Sequence, residues 1–258
     1  MNKERKRSHT EEDKRKESEN KLVLSYMTLR NLIGFSGLLL PVVLILFTKS
    51  NYHSIFILPT ISEYYYTNNG DILVVILSVL SVFLITYNGY TMMEKFWMVL
   101  AAVCGIGVAF CPMSIEYAAD PGSLHTTLEV PKMFGRELHM IFASLFFISI
   151  SIISLHYFPK SNKPLTHNPG EKRSPKEKRN IVFKICGIVM LLCVALIGIY
   201  FIWIEEIKKV TGELPVIFIF ESFAVWAFAV AWLTKGQTIL PDGEHYIYGA
   251  IRDIKKSL

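Results

Sequence analysis

Six predominantly apolar runs, at 32–48, 72–90, 96–111, 138–158, 185–204 and 214–234, are separated by polar segments. Within each run the apolar positions are continuous, whereas the strands of a transmembrane barrel alternate apolar and polar. A helix needs about 20 mainly apolar residues to cross ~30 Å of hydrocarbon. The first and third runs are short and need an extra turn of flanking polar residues or an untilted crossing. The pattern predicts an all-α fold, a polytopic membrane helix bundle with six transmembrane helices over 30–236. A charged tail (1–29) precedes it and a segment at 237–258 follows.

The flanks refine this picture. The first twenty residues alternate basic and acidic with almost nothing apolar, so they cannot bury a core and are expected to be disordered. Their mixed sign argues for a solvated tail and against a nucleic-acid arm. No small-residue cleavage site follows the first apolar run, which is expected to stay as an anchor. After the sixth run, Pro241-Asp-Gly reads as a turn. Beyond it Ile247, Ile251 and Ile254 share one face beside Arg252, Lys255 and Lys256, the pattern of a short interfacial helix or a frayed tail.

Charge decides the expected orientation. With both termini inside, 22 of the 27 Lys and Arg residues fall on the cytoplasmic side and only Lys49, Lys132, Arg136, Lys208 and Lys209 fall outside. The expected location is therefore the cell membrane, multi-pass, with cytoplasmic N- and C-termini. Charged residues are 19% of the chain, below the ~25% of soluble domains, and they sit in blocks. Cys104 and Cys111, and Cys186 and Cys193, lie seven residues apart, about 10 Å along a helix and too far for a disulfide. They read as small buried hydrophobes.

Ionisable groups within a span usually face a bundle interior or a water-filled cavity. Glu221, in Phe-Ile-Phe-Glu-Ser-Phe, is the clearest case: it either bridges helices or works on a ligand. His139 stands within a turn of the outer end of span four. Asp71 opens span two, where a carboxylate suits the positive end of the helix dipole and reads first as a cap. Ser62, Glu63 and Tyr64 to Tyr66 lead directly into span two, the tyrosines matching an interfacial belt. Together Glu63, Asp71, Glu116, His139, Glu205 and Glu221 gather toward the outer side, whereas Asn88, His156 and Lys184 lie near inner ends. This asymmetry predicts an outward-facing polar pocket built from Asp71, His139, Glu221, Glu63 and Ser62. A histidine with carboxylates can take a divalent cation, a lipid headgroup or a proton. No H-E-x-x-H or C-x-x-C spacing occurs, so no cofactor is assigned. Gly34, Gly37, Gly105, Gly107, Gly187 and Gly198 are expected to let helices approach closely, and Pro41 to free the carbonyl of Gly37.

The chain resembles an uncharacterised group of bacterial six-span inner-membrane proteins. The likeness, over about residues 25 to 240, rests on Ile61-Ser-Glu-Tyr-Tyr-Tyr-Thr, Gly70-Asp-Ile, Tyr87-Asn-Gly-Tyr and Gly105-Ile-Gly-Val-Ala-Phe-Cys-Pro. His139 with Phe142-Ala-Ser-Leu-Phe-Phe and Glu221 with Trp226-Ala-Phe-Ala-Val-Ala-Trp complete it. Pro59-Thr-Ile-Ser looks more distantly like the tract after the first span in the six-span family of the autophagy modulator DRAM and the yeast Sfk proteins. Ile61-Ser-Glu-Tyr is also similar to a tract of the alkaline ceramidases, but the late His-x-x-x-His pair of those zinc amidases is missing here. The resemblances imply a six-span fold and carry no activity. The expected function is binding of membrane lipid or a small ligand in the outer pocket. A membrane-embedded lipid hydrolase using His139 as metal ligand or base with Asp71 or Glu221 as partners, and a proton- or ion-coupled carrier using Glu221, are the alternatives.

Overall fold

The computed structural model describes residues 27–48, 57–67, 69–87, 89, 91–111, 135–160, 175–212 and 214–240. The predicted tail up to residue 26 and the C-terminal interfacial helix lie outside the described residues, as does Glu116, whereas residues 27–29, expected in the tail, already belong to the first helix. Every regular element among the described residues is helical. In chain order these are α1 (Met27–Phe47), a 3-10 helix (Ser62–Tyr66), α2 (Gly70–Thr86), α3 (Met92–Phe110) and α4 (Gly135–Ile152). A π turn (Ile153–Tyr157) continues α4, and α5 (Pro175–Ile202), α6 (Ile204–Thr211) and α7 (Val216–Lys235) follow. Helices α1, α3, α4 with its π turn, α5 and α7 are long and apolar enough to cross a membrane, and α2 is a shorter apolar helix. The chain is an all-helical, multi-pass membrane protein.

The boundaries depart from the apolar runs for local reasons. The second run was expected to continue to Tyr90, but α2 stops at Thr86 because Tyr87 turns extended (φ −70°, ψ 118°). Its 17 residues span about 26 Å at 1.5 Å per residue. Helix α5 starts at Pro175, well before the apolar run, because proline suits a first helical position and Lys, Glu and Arg are good helix formers. The stretch after the fifth run, expected to be outer loop, forms α6. There Ile204 and Ile207 alternate with Glu205, Glu206, Lys208 and Lys209, and no residue is buried. Helix α1 runs unbroken through Pro41.

Small residues set the packing. A methyl group on Gly34 would come within 2.6 Å of the Leu233 side chain, and one on Gly107 within 2.5 Å of the Phe142 ring. One on Gly105 would strike Ser81 Oγ, whereas Gly198 faces open space. Five of the six expected glycines thus sit at close approaches. Side chains add bonds between helices: Trp226 Nε1–H donates to the Leu38 carbonyl at 3.2 Å, and Ser154 Oγ–H to that of Phe183 at 2.7 Å.

Contacts between helix ends gather the termini of α1, α2, α3, α4 and α7 at two ends. At one end Arg30 lies 5.3 Å from the centre of the Tyr87 ring, and the Tyr87 hydroxyl donates to Glu94 at 3.3 Å. Lys235 Nζ donates to the Phe158 carbonyl at 3.4 Å. Glu94, 1% exposed, also completes a Thr-x-x-Glu start for α3, where Thr91 Oγ1 accepts its N–H. At the other end the last turn of α1, the 3-10 helix, and the starts of α2, α4 and α7 converge.

Candidate functional site

The segment before α2 builds this second end. Pro59 to Tyr66 has no apolar run of its own, and it is held by hydrogen bonds and aromatic packing to α7. The Phe218 N–H, one of the early α7 donors with no partner inside its own helix, bonds the Pro59 carbonyl at 2.9 Å. One turn further along α7, Glu221 Oε2 accepts the Ile61 N–H at 2.6 Å. The Tyr64 ring packs 5.9 Å from that of Phe218. Tyr64 is buried and its hydroxyl accepts the Leu58 N–H, so it is a core residue and does not join a surface belt. Asn69 Nδ2–H donates to Thr48 Oγ1 at 3.0 Å, tying the start of α2 to the end of α1.

With Ile61 held, the next residue faces α4. Ser62 Oγ lies 2.7 Å from His139 Nε2. The other ring nitrogen, Nδ1, lies 2.7 Å from the carbonyl oxygen of Cys111, just past the end of α3. A carbonyl can only accept, so Nδ1 carries a proton. In the neutral imidazole Nε2 is then the acceptor and the Ser62 hydroxyl the donor. Both partners are buried. The arrangement is a hydroxyl, an imidazole and a backbone oxygen in line, with the tautomer set by the last.

Ser62, His139 and Glu221 line one cavity of about 70 Å³, several times what a single water requires. Most of its wall is apolar, from Leu40 of α1, Leu73, Leu77 and Leu80 of α2, Val108 of α3, Ala143 and Phe146 of α4, and Val225 and Phe228 of α7. Tyr65 joins the polar side. In a 3-10 helix residues three apart eclipse, which puts Ser62 and Tyr65 on the same face.

The expected pocket thus brings together three of its five residues. Glu63 is half-buried beside the cavity, where its N–H bonds Thr60 Oγ1 at 3.1 Å, and it lies within electrostatic reach of Glu221. Burial pushes its carboxyl up to about 7, against a smaller lowering by a side-chain hydrogen bond with Thr60. Asp71 does not join: it is exposed in the first turn of α2, where its charge meets the helix dipole, and it is not part of the cavity wall. Glu205 and Glu206 are exposed on α6. Among the described residues no three His, Cys, Asp or Glu side chains come together to hold a metal ion, and both nitrogens of His139 already have partners. The Cys111 carbonyl, which orients His139, and buried Glu94 went unread in the sequence. A Thr-x-x-Glu start was legible for the latter. Compared with known protein families, curated proteins and solved structures, the chain matches none.

Proposed function

We propose that this protein spans the cell membrane six times with both termini cytoplasmic, and binds a lipid or other small amphiphile in the cavity at its outer end. The observation that carries this reading is the cavity's composition: an apolar wall drawn from five helices, interrupted by Ser62, Tyr65, His139 and Glu221. An apolar chain suits the wall, and a polar head meets donors and acceptors on one side, the usual make-up of a small-molecule site. The basic residues Arg30, Lys95, Lys160, Lys184 and Lys235 belong to the opposite end, which supports placing that end in the cytoplasm. The unbroken helical course of α2, together with the 3-10 turn before it, supports a sixth crossing. The nearest alternative, a lipid hydrolase, draws on the pairing of Ser62 with His139 and is developed below.

The binding test is native mass spectrometry and lipid extraction on purified protein, comparing wild type with Ala143→Trp and Val108→Trp. Filling the cavity should remove the bound amphiphile while the variants stay monodisperse with near-native melting. Retention of the same ligand by both filled variants overturns the reading. For orientation, cysteine at Thr211 in a cysteine-free background should react with an impermeant maleimide on intact cells, and cysteine at Ser161 should not. The reverse pattern turns the cavity to the cytoplasm.

A further inference from the structure

We propose that Ser62 and His139 are a nucleophile and its general base, and that the cavity holds the acyl chain of a carboxylic ester that the pair hydrolyses. This deepens the binding reading and rests on it. The geometry that points to it is a serine hydroxyl 2.7 Å from an imidazole nitrogen that can only accept in the neutral ring, because the opposite nitrogen is protonated against the Cys111 carbonyl. A nucleophile, a base within hydrogen-bond reach and a third group orienting the base are the parts that activate a serine. A bond that merely tied the segment to α4 would not need to open on a cavity, yet both side chains line it, with apolar Ala143 and Phe146 of α4 alongside.

The step balances with water as the only co-reactant. Ser62 Oγ bonds to the ester carbonyl carbon as its proton passes to His139 Nε2. The phenol of Tyr65, on the Ser62 face of the 3-10 helix, donates to the carbonyl oxygen as negative charge develops there. Collapse breaks the bond to the alcohol oxygen, which takes the proton from Nε2 and leaves. Water then attacks the acyl-serine, giving a proton to Nε2, and the Oγ–acyl bond breaks as that proton returns to Oγ. One ester and one water yield one acid and one alcohol. The Cys111 carbonyl accepts the Nδ1–H hydrogen bond throughout and keeps the ring turned toward Ser62. Glu221 acts as a positioning residue: by holding the Ile61 N–H it places Ser62 one residue further along.

The experiment treats the full chain in detergent with an alkyl fluorophosphonate and maps any adduct by peptide mass spectrometry. Covalent labelling at Ser62, absent in Ser62→Ala and slowed about 10²- to 10⁴-fold in His139→Gln, the range for a general base, is the expected result. Release of p-nitrophenol from p-nitrophenyl butyrate or palmitate should track the labelling. An unlabelled Ser62 in wild-type protein, or labelling at equal rate in His139→Gln, overturns the nucleophile assignment. The wild-type result needs no variant to fold. If lipid still copurifies and leaves on filling the cavity while Ser62 stays unreactive, the binding reading stands and the catalytic one falls. If no ligand is bound at all, the binding reading falls first.

Discussion

Replacing Glu221 with leucine or glutamine separates a hydrogen bond from a charge. Glu221 Oε2 takes the Ile61 N–H at 2.6 Å, and Ile61 is itself buried. Leucine removes the acceptor and leaves that N–H stranded against apolar α7. An orphaned buried donor costs about 1–3 kcal/mol, while hydrogen bonds between membrane helices average ~0.6 and reach about 1.7 kcal/mol. The overlap, about 1–2 kcal/mol, is the expected cost of leucine. Glutamine still offers a carbonyl oxygen and should cost well under half of that. The Phe218–Pro59 bond remains in both variants, so the segment loosens without leaving. The readout is amide exchange of the peptide around Ile61 in detergent. Each 1.4 kcal/mol is tenfold, so exchange should speed by roughly one order of magnitude in leucine and much less in glutamine, with global melting as control. Leucine exchanging at the wild-type rate, or glutamine as fast as leucine, would refute the claim that this bond holds the segment in place.

Three further outcomes follow from the packing and the charges. Gly105→Ala should lower the melting temperature, since its methyl meets Ser81 Oγ, whereas Gly198→Ala faces open space and should gain up to about 1 kcal/mol of helix propensity; equal shifts would contradict the packing. Glu94→Ala should destabilise by about 1–3 kcal/mol, because it removes a buried acceptor of the Tyr87 hydroxyl and the negative charge near Lys235, and Tyr87→Phe should cost less in the same thermal assay. Glu63 has a folded-state value near 7 against an ordinary 4.5, so the folded chain holds the proton more tightly than the unfolded one. Its contribution is full below about pH 4.5 and is lost as pH rises toward about 7. The melting gap between wild type and Glu63→Gln should therefore widen in favour of glutamine over that interval, and a constant gap would count against a buried carboxyl.

What could be read from the sequence follows from the length scale of each signal. The helices announce themselves because an apolar run longer than about 17 residues has few other fates. The charge-bearing ends were legible to within a turn or so only where propensity agrees with hydropathy, which fails for α5 beginning at Pro175. His139 and Glu221 were found because a titratable group at that depth is costly unless it faces polar company. Asp71 misled by the same logic, since its first-turn position is already favourable and solvated. Invisible in principle was the alignment of Ser62 with His139, 77 positions apart, and of Glu221 with Ile61, 160 positions apart. Those pairings depend on how the 3-10 segment docks, and no local pattern encodes that. The π turn after α4 is equally silent in the sequence.

The layers beneath the cavity bear on which kind of function the fold allows. Phe228, on the cavity wall, packs 6.2 Å from Trp232, and Trp232 lies 5.5 Å from Phe158 and 5.6 Å from Tyr87. All four rings are buried, Trp232 completely. Tilted and edge-on contacts of this kind are worth about 0.5–1.5 kcal/mol each beyond the area they bury. They join the cavity wall to the end where Arg30, Glu94 and Lys235 meet. A carrier must expose its site alternately to both sides, and here that means unpacking this aromatic layer together with the charged residues it supports. A binding protein or a hydrolase needs one opening, and the layer then serves as a rigid floor that keeps an apolar chain from passing and holds Phe146 and Phe228 where the wall requires them. The arrangement therefore favours a pocket entered and left from one side.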